Sequence, residues 1–536
     1  MIEADCTTHI PFAKTGYFST IICDYLNEDE KIKPFYSNFP NSEGFKKQID
    51  AKRHSELVSE SHRKILVTSL ENQYQNIEVS DSTKQNIKLL KKENTFTVTT
   101  GHQLNLFTGP LYFLYKIIST INLCKQLKAE FPNENFVPVY WMATEDHDFE
   151  EINYFNFKGQ KISWNIDCKG AVGRLQTEGL EQVANVFEKA LDSSKNANYL
   201  IQLFKDSYLK HDNLTDATRY LTNELFSEYG LVIIDGDDKE LKKQFIPFVE
   251  DELLNQTSFK KVSSTIEQLE KNYTIQVNPR EINLFYLTNE LRERIVYEDG
   301  VYRVVDNDIS WSKNEILKEL NDFPERFSPN VIMRPLYQEV ILPNLCYIGG
   351  GGELAYWLEL AAYFEAVKVP FPILLLRNSA LIVTEKQKKK ADRLNIAIDE
   401  LFLDQHQLVN KKIKEILEIE IDFSEQRSFL KKQFEDLEQL AEKTDKSFIG
   451  AVKAQEVKQL KGLDNLEKRL LKAQKRKLND EVERIKELQN QLFPNQSLEE
   501  RQRNFSEMYL AYGERLVPSL VKSLRPLDGK FTILEL

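Results

Sequence analysis

The sequence predicts an α/β protein with a parallel sheet in its first part and a long helical coiled-coil arm toward its end. Three observations carry this. Two apolar, β-branched runs, Phe96-Thr97-Val98-Thr99 and Phe136 to Ala143, flank a helix with Leu111, Leu114, Tyr115, Ile118 and Ile121 on one face. Leu231 to Ile234, Cys346-Tyr347-Ile348 and Phe371 to Leu376 repeat the apolar-run signature, and each run leads into polar, charged or glycine residues. From Leu381 to Phe493 there is no proline, and the only glycines are Gly450 and Gly462, amid dense Lys, Glu and Gln.

In chain order, residues 1 to about 94 form a lead-in. Ile10-Pro11-Phe12 and Lys33-Pro34-Phe35-Tyr36 read as anchored loops, and His54 to Leu90 as a helical tract. His9, His54 and His62 receive no role. The first strand ends in a turn, Thr100-Gly101-His102-Gln103. Thr108-Gly109-Pro110 then starts the helix with proline in its first turn, where a missing N–H costs nothing. Phe131-Pro132-Asn133 stops it. A β-α-β unit makes its two strands parallel neighbours. Thr100 to Gln103 and Thr144 to Asp148 therefore share the rim where open α/β sheets bind ligands.

That rim carries Glu145, Asp146, His147 and Asp148, three carboxylates around one imidazole. Such a set suits a hydrated Mg²⁺, a grip on a substrate amine, or proton transfer. A solvated acidic loop is the plainer alternative. One histidine with no second at close spacing is a weak metal signal, so no metal site is assigned.

Tyr154, Phe155, Phe157, Ile162, Trp164 and Ile166 alternate like a small β region that closes on Gly170 to Arg174, whose guanidinium could take a carboxylate or phosphate bidentately. Thr177 to Tyr229 is mostly helical in pattern. Asp235, after the Leu231 run, is either a ligand contact or a helix cap. Gln276 to Tyr286 reads as an inserted α+β connector with Arg280 as an anion ligand. Ser328 to Trp357 is a second dense stretch, with Arg334 before a proline, Gln338 and Glu339 on a short helix, and Gly349-Gly350-Gly351-Gly352 between a strand and the helix Glu353 to Ala362. Strand, glycine run and helix N-terminus make an anion cradle, although neither the G-x-G-x-x-G nor the P-loop pattern is present. A tight turn needing positive φ is the alternative. Leu430, Phe434, Leu437, Ala441, Phe448 and Val452, then Leu463, Leu466, Leu470 and Ala473, then Val482, Ile485, Leu488 and Leu492, form narrow seams at 3/4 spacing. An arm of this kind dimerises or folds as an intrachain hairpin. Leu498 to Leu536 folds back, and Lys530 to Leu534 reads as one more strand.

The chain has 536 residues and a formal net charge of −12, which argues against bulk nucleic-acid binding. Cys6, Cys23, Cys124, Cys168 and Cys346 show no C-x-x-C spacing and read as reduced thiols, which implies a cytoplasmic protein. The first residues lack a signal-peptide pattern, and no stretch reaches the roughly 20 apolar residues of a membrane span.

Thr100-Gly101-His102-Gln103, Leu106 to Tyr112, Val137 to Trp141 and Glu145 to Phe149 resemble the bacillithiol biosynthesis cysteine-adding enzyme family, the cysteine ligases. Val172-Gly173-Arg174, Asn278 to Glu281, Arg334-Pro335-Leu336, Gly349-Gly350, Glu353 to Trp357 and Asp528 to Phe531 extend the resemblance essentially end to end. It implies a Rossmann-like core (1–380) with inserted connecting segments, an antiparallel coiled-coil arm (381–493) that makes a homodimer, and a C-terminal segment (494–536). It implies ligation of cysteine to the amine of glucosaminyl-malate, with ATP as the activating nucleotide and Mg²⁺ as its companion. Thr100, Gly101, His102, Gln103, Gly349, Gly350 and Gly351 would meet the nucleotide, and Glu145 to Asp148 the reacting amine. Thr108, Gly109, Tyr112, Asn153, Arg174, Arg334, Gln338, Glu353 and Trp357 would form the substrate set. Ser379 and Arg503 would form a second nucleotide contact. The resemblance leads one to expect glutamine where this chain has His102, so His102 is not given the role of an indispensable acid. The rival readings are a phosphate- or nucleotidyl-transfer enzyme acting on a sugar, and a non-catalytic coiled-coil scaffold.

Overall fold

The computed structural model describes residues 7–416 and 421–536. Cys6 and Leu417 to Glu420 of the expected arm lie outside the described residues. The chain divides into two units, one running to Ile382 and resuming at Ser497–Leu536, the other comprising Val383–Gln496.

The first unit is built on five strands, β1 (Thr95–His102), β2 (Asn135–Met142), β3 (Val232–Asp235), β4 (Asn344–Gly349) and β5 (Ile373–Leu376), in the spatial order β5-β4-β1-β2-β3. Every neighbouring pair is parallel. Both faces of such a sheet must be covered, which explains why the strands are continuous apolar runs rather than alternating ones. Helix α1 (Tyr112–Glu130) crosses over between β1 and β2 and packs on both, so every residue from Phe113 to Cys124 is buried. Phe96, Val98, Leu123, Leu127, Phe136, Leu345, Ile348 and Ile373 form the core between them and Phe45 of the lead-in.

β1, β2 and β3 step across the sheet in one direction. The chain then returns to place β4 on the other side of β1. The strand order reverses between β1 and β4, and in open α/β sheets a crevice forms there at the carboxyl ends of the strands. Helices α2 (Lys239–Asn255), α3 (Arg334–Ile341) and α4 (Gly351–Trp357) surround this end. Between β3 and β4 the chain inserts a five-stranded antiparallel sheet, Leu284–Leu287, Arg292–Glu298, Val301–Val304, Ser310–Trp311 and Phe327–Pro329.

Three local readings are corrected. Thr100 to His102 are not a turn but the last residues of β1, paired with Tyr140 to Met142. Ile10-Pro11 is not a loop; Thr7–Pro11 is a strand that pairs antiparallel with Lys530–Glu535, so the C-terminal strand binds the N-terminal one. The helix cap expected of Asp235 belongs to Asp238, whose Oδ1 accepts from the Glu240 and Leu241 N–H groups.

In the second unit, Ser424–Thr444 and Ile449–Lys477 form an antiparallel helical hairpin. Arg427 meets Asp464 and Glu467 near its open end, and Lys453 meets Glu438 nearer its turn. Phe434 and Ala441 are buried in the seam. Phe429, Leu440, Phe448, Val457 and Leu466 are more than half exposed.

Candidate functional site

At the switch point the strands open into a cavity of about 310 Å³. Gly101, His102 and Gln103 enter it from β1, Ala143 and Asp146 from the exit of β2, and Gly350 to Glu353 from the β4–α4 junction. Arg334 and Gln338 of α3, Trp357 of α4, Arg377 beyond β5 and Arg501 of the C-terminal segment complete the wall. The histidine-bearing strand end and Asp146 of the acidic loop therefore face one shared space.

Glycine in this wall supplies room rather than unusual backbone. None of Gly349 to Gly352 has positive φ, which removes the tight-turn explanation. A Cβ at Gly349 would stand 2.8 Å from Leu354 Cδ1, and one at Gly101 3.1 Å from Tyr347 Oη. The Gly350 N–H is not left open for a ligand; it donates to Glu353 Oε2 at 2.8 Å.

Lys116, on the first turns of α1, is buried. Its ammonium donates to the Gly101 carbonyl at 2.7 Å and pairs with Glu353 Oε2 at 2.6 Å. Burial pushes the Lys116 pKa down, while Glu353 partly restores it. Glu353 also accepts from Tyr347 Oη at 2.7 Å. Burial pushes its own carboxyl up, yet Lys116 and these hydrogen bonds hold it below its ordinary value. His102 lies edge-on to Tyr112 and against Phe113. Burial and the Lys116 charge drive its imidazole down to about 3, so it is neutral throughout the physiological range. Asp146 accepts from Gln103 Nε2 at 3.2 Å and from the His147 N–H at 2.8 Å. Burial raises its pKa, but the guanidinium groups of Arg334 and Arg292 outweigh that and keep it ionised. Two side-chain N–H donors of wall residues, Trp357 Nε1 and Arg377 Nε, are buried without a hydrogen-bond partner. Such groups are costly unless something accepts from them, so this wall fits a ligand rich in oxygen.

The remaining expected residues are placed elsewhere. Thr100 Oγ1 donates to the Ile348 carbonyl, bridging β1 to β4. Glu145 turns away from the cavity to a buried pair with Lys242 at 2.5 Å. His147 is exposed and meets Arg292 Nη1 at 2.6 Å. Asp148 caps the short helix Phe149–Ile152, and Asn153 follows that helix. Arg174 is held bidentately by Asp237, at 2.7 and 2.9 Å. Asp235 accepts from Thr144 Oγ1 at the end of β3, and Arg280 is exposed. Thr108 and Gly109 belong to a turn in which Phe107, Thr108 and Gly109 all have positive φ, at 48°, 69° and 62°. Asn504 Nδ2 clamps that turn through the Phe107 and Gly109 carbonyls, at 2.7 and 2.6 Å. Gly109, Tyr112 and Arg503 line a second cavity of about 260 Å³, which shares Gln103, Tyr112 and Arg501 with the first. Ser379 is buried between Arg377 and Glu500. Lys116, Arg377, Arg501 and Arg292 were not singled out from sequence. For Lys116 the signal was available, a lysine inside the apolar run Leu114 to Ile118.

Among the described residues no group of three or more His, Cys, Asp or Glu is arranged to hold a metal ion, and no helix is long and apolar enough to cross a membrane. Cys23, Cys124, Cys168 and Cys346 are free thiols.

Comparison with known proteins gives a consistent picture. The family model described as Bacillithiol biosynthesis BshC, N-terminal Rossmann-like domain, matches residues 6–378. The one described as Bacillithiol biosynthesis BshC, C-terminal coiled-coil domain, matches residues 380–536. A relative from Flavobacterium johnsoniae, named "Putative cysteine ligase BshC", is 61% identical over 536 residues, all of both chains. Relatives of the same name from Cytophaga hutchinsonii and a strain of Bacillus cereus are 39% identical (95% of each chain) and 28% identical (96% of this chain, 98% of theirs).

Proposed function

Since the chain belongs to the bacillithiol biosynthesis BshC family of cysteine ligases, we propose that it joins the carboxylate of L-cysteine to the amine of glucosaminyl-malate in the switch-point cavity, with ATP as activating co-substrate. The observation that supports this best is the composition of the wall. Lys116, Arg334, Arg377 and Arg501 face the same space as the ionised Asp146 and Glu353. Four cations suit the carboxylates of malate and cysteine and the phosphates of a nucleotide, and Asp146 suits an amine.

In the reaction so read, a cysteine carboxylate oxygen attacks the α-phosphorus and pyrophosphate leaves. The glucosamine nitrogen then attacks the acyl carbon, AMP leaves, and the proton shed by the nitrogen passes to the ionised Asp146 carboxylate beside it. Asp146 holds the amine. His102, neutral and poorly basic, contributes a hydrogen bond rather than proton removal. Mg²⁺, where needed, would arrive with the phosphates, since such ions are bound largely by phosphate and water. The exposed apolar residues of the hairpin, Phe429, Leu440 and Val457 among them, support a homodimer through the arm. The free thiols suit a reducing cytoplasm. Mass spectrometry of the purified protein with cysteine and glucosaminyl-malate tests the assignment. Bacillithiol formed only with ATP supports it. Release of phosphate or pyrophosphate without any need for cysteine refutes it.

A further inference from the structure

Arg377 leaves the end of β5 and is 3% exposed. Both of its terminal nitrogens are committed: Nη2 to Glu500 Oε1 at 2.7 Å, and Nη1 to the Asn378 carbonyl at 2.9 Å and Ser379 Oγ at 3.0 Å. The guanidinium lies over the Tyr112 ring, 4.8 Å from its centroid. Only Nε lacks a partner, and it lies 3.7 Å from the point a Cβ on Gly350 would occupy. The free N–H thus sits on the side of the bare glycine backbone that opens the cavity.

Glu500 is fully buried and is fixed from three sides, since it also accepts from Ser379 Oγ and the Ala380 N–H, both at 3.1 Å. A buried ion pair rarely adds stability over an apolar pair of the same shape, because both charges are desolvated. Its geometry does hold the guanidinium in one rotation about the Cδ–Nε bond, with Nε toward Gly350.

We propose that Arg377 is an oxyanion-binding residue of the cavity, donating from Nε to a carboxylate or phosphate oxygen, and that Glu500 of the C-terminal segment is its positioning residue. The identity of the anion rests on the ligase reading above. The binding itself does not.

The test is calorimetric titration of the full-length protein with L-malate and, separately, inorganic pyrophosphate; the two arms distinguish a carboxylate from a phosphate source. A charge-assisted hydrogen bond of ordinary strength predicts that Arg377→Met weakens the anion that binds by about 10–100-fold. Arg377→Lys stays weak, because the ammonium cannot reproduce the Nε position. Glu500→Gln weakens binding by about 5–10-fold on the same scale, and in turnover it raises KM for the anionic substrate more than it lowers kcat. Glu339→Gln breaks the buried pair with Lys52, which lies outside the cavity, and serves as control: it lowers Tm and leaves the anion Kd unchanged. Where Glu500→Gln fails to fold, Arg377→Lys decides. Wild-type protein that binds neither anion, or Arg377 variants that bind as wild type does, would overturn the proposal. A protein that binds malate through Arg377 but makes no bacillithiol would overturn the ligase reading and leave this one standing.

Discussion

His102 offers a measurement in which burial is read directly as pH dependence. Its folded-state pKa of about 3 lies below the ordinary 6.5 because the ring is 8% exposed and stands near Lys116. Between those two values the unfolded chain takes up a proton and the folded chain does not. Stability from this group is therefore fully present above pH 6.5 and is lost as the pH falls toward 3. At about 1.36 kcal/mol per pKa unit, pH 5 lies 1.5 units below the unfolded value and costs about 2 kcal/mol. His102→Gln removes the titration while keeping a hydrogen-bonding side chain of similar reach. Other buried acids also titrate in this range, Asp235 near 6 and Glu499 near 7, so the difference between proteins is the quantity to follow. Urea denaturation of both proteins at pH 7.5 and 5.0 should show the wild type losing about 2 kcal/mol more than the variant. Parallel losses would mean that the imidazole is hydrated or protonated in the folded state, and the account of the cavity floor would be wrong.

Asp146→Asn removes the one acidic-loop carboxylate that lines the cavity and should lower ligation turnover by about 10–100-fold, the worth of a charge-assisted hydrogen bond, with Tm little changed. Asp148→Asn should stay within a few-fold of wild type in the same assay, because Asp148 only caps a short helix. Lys242→Met strands Glu145 as a buried, unpaired carboxylate and should cost about 3–5 kcal/mol in urea denaturation. Gly109→Ala meets both a positive φ and a Cβ placed 2.6 Å from Asn105 Cβ, so a loss of about 1–3 kcal/mol is expected, read as a drop in Tm.

Much of the sheet was legible because a strand buried on both faces must be apolar throughout, and such runs stand out between Thr95 and Leu376. The rim followed from chain direction alone. Which of the four residues Glu145 to Asp148 turns inward was not legible. That choice depends on Lys242 and Arg292, partners brought in by α2 and the inserted sheet, far away in sequence. Arg377 was hidden for the same reason, since its partner Glu500 lies 123 residues further along. The Thr7–Pro11 strand escaped notice because five residues with a proline declare themselves only against their partner at the other end of the chain. In the arm, 3/4 spacing marks the apolar seam but not what covers it: Phe434 is buried while Leu437 and Leu466 are not.

The order of translation acquires a consequence from the clamp that Glu500 and Asn504 place on the cavity wall. All five sheet strands have been synthesised by Leu376, yet the two side chains that set Arg377 and the Phe107 turn follow only after the whole of Val383–Gln496. A nascent chain can therefore complete its sheet long before it has a working mouth. A message cut short anywhere within the arm would leave the Rossmann-like body without Glu500, Asn504 and the strand Lys530–Glu535 that pairs with Thr7–Pro11.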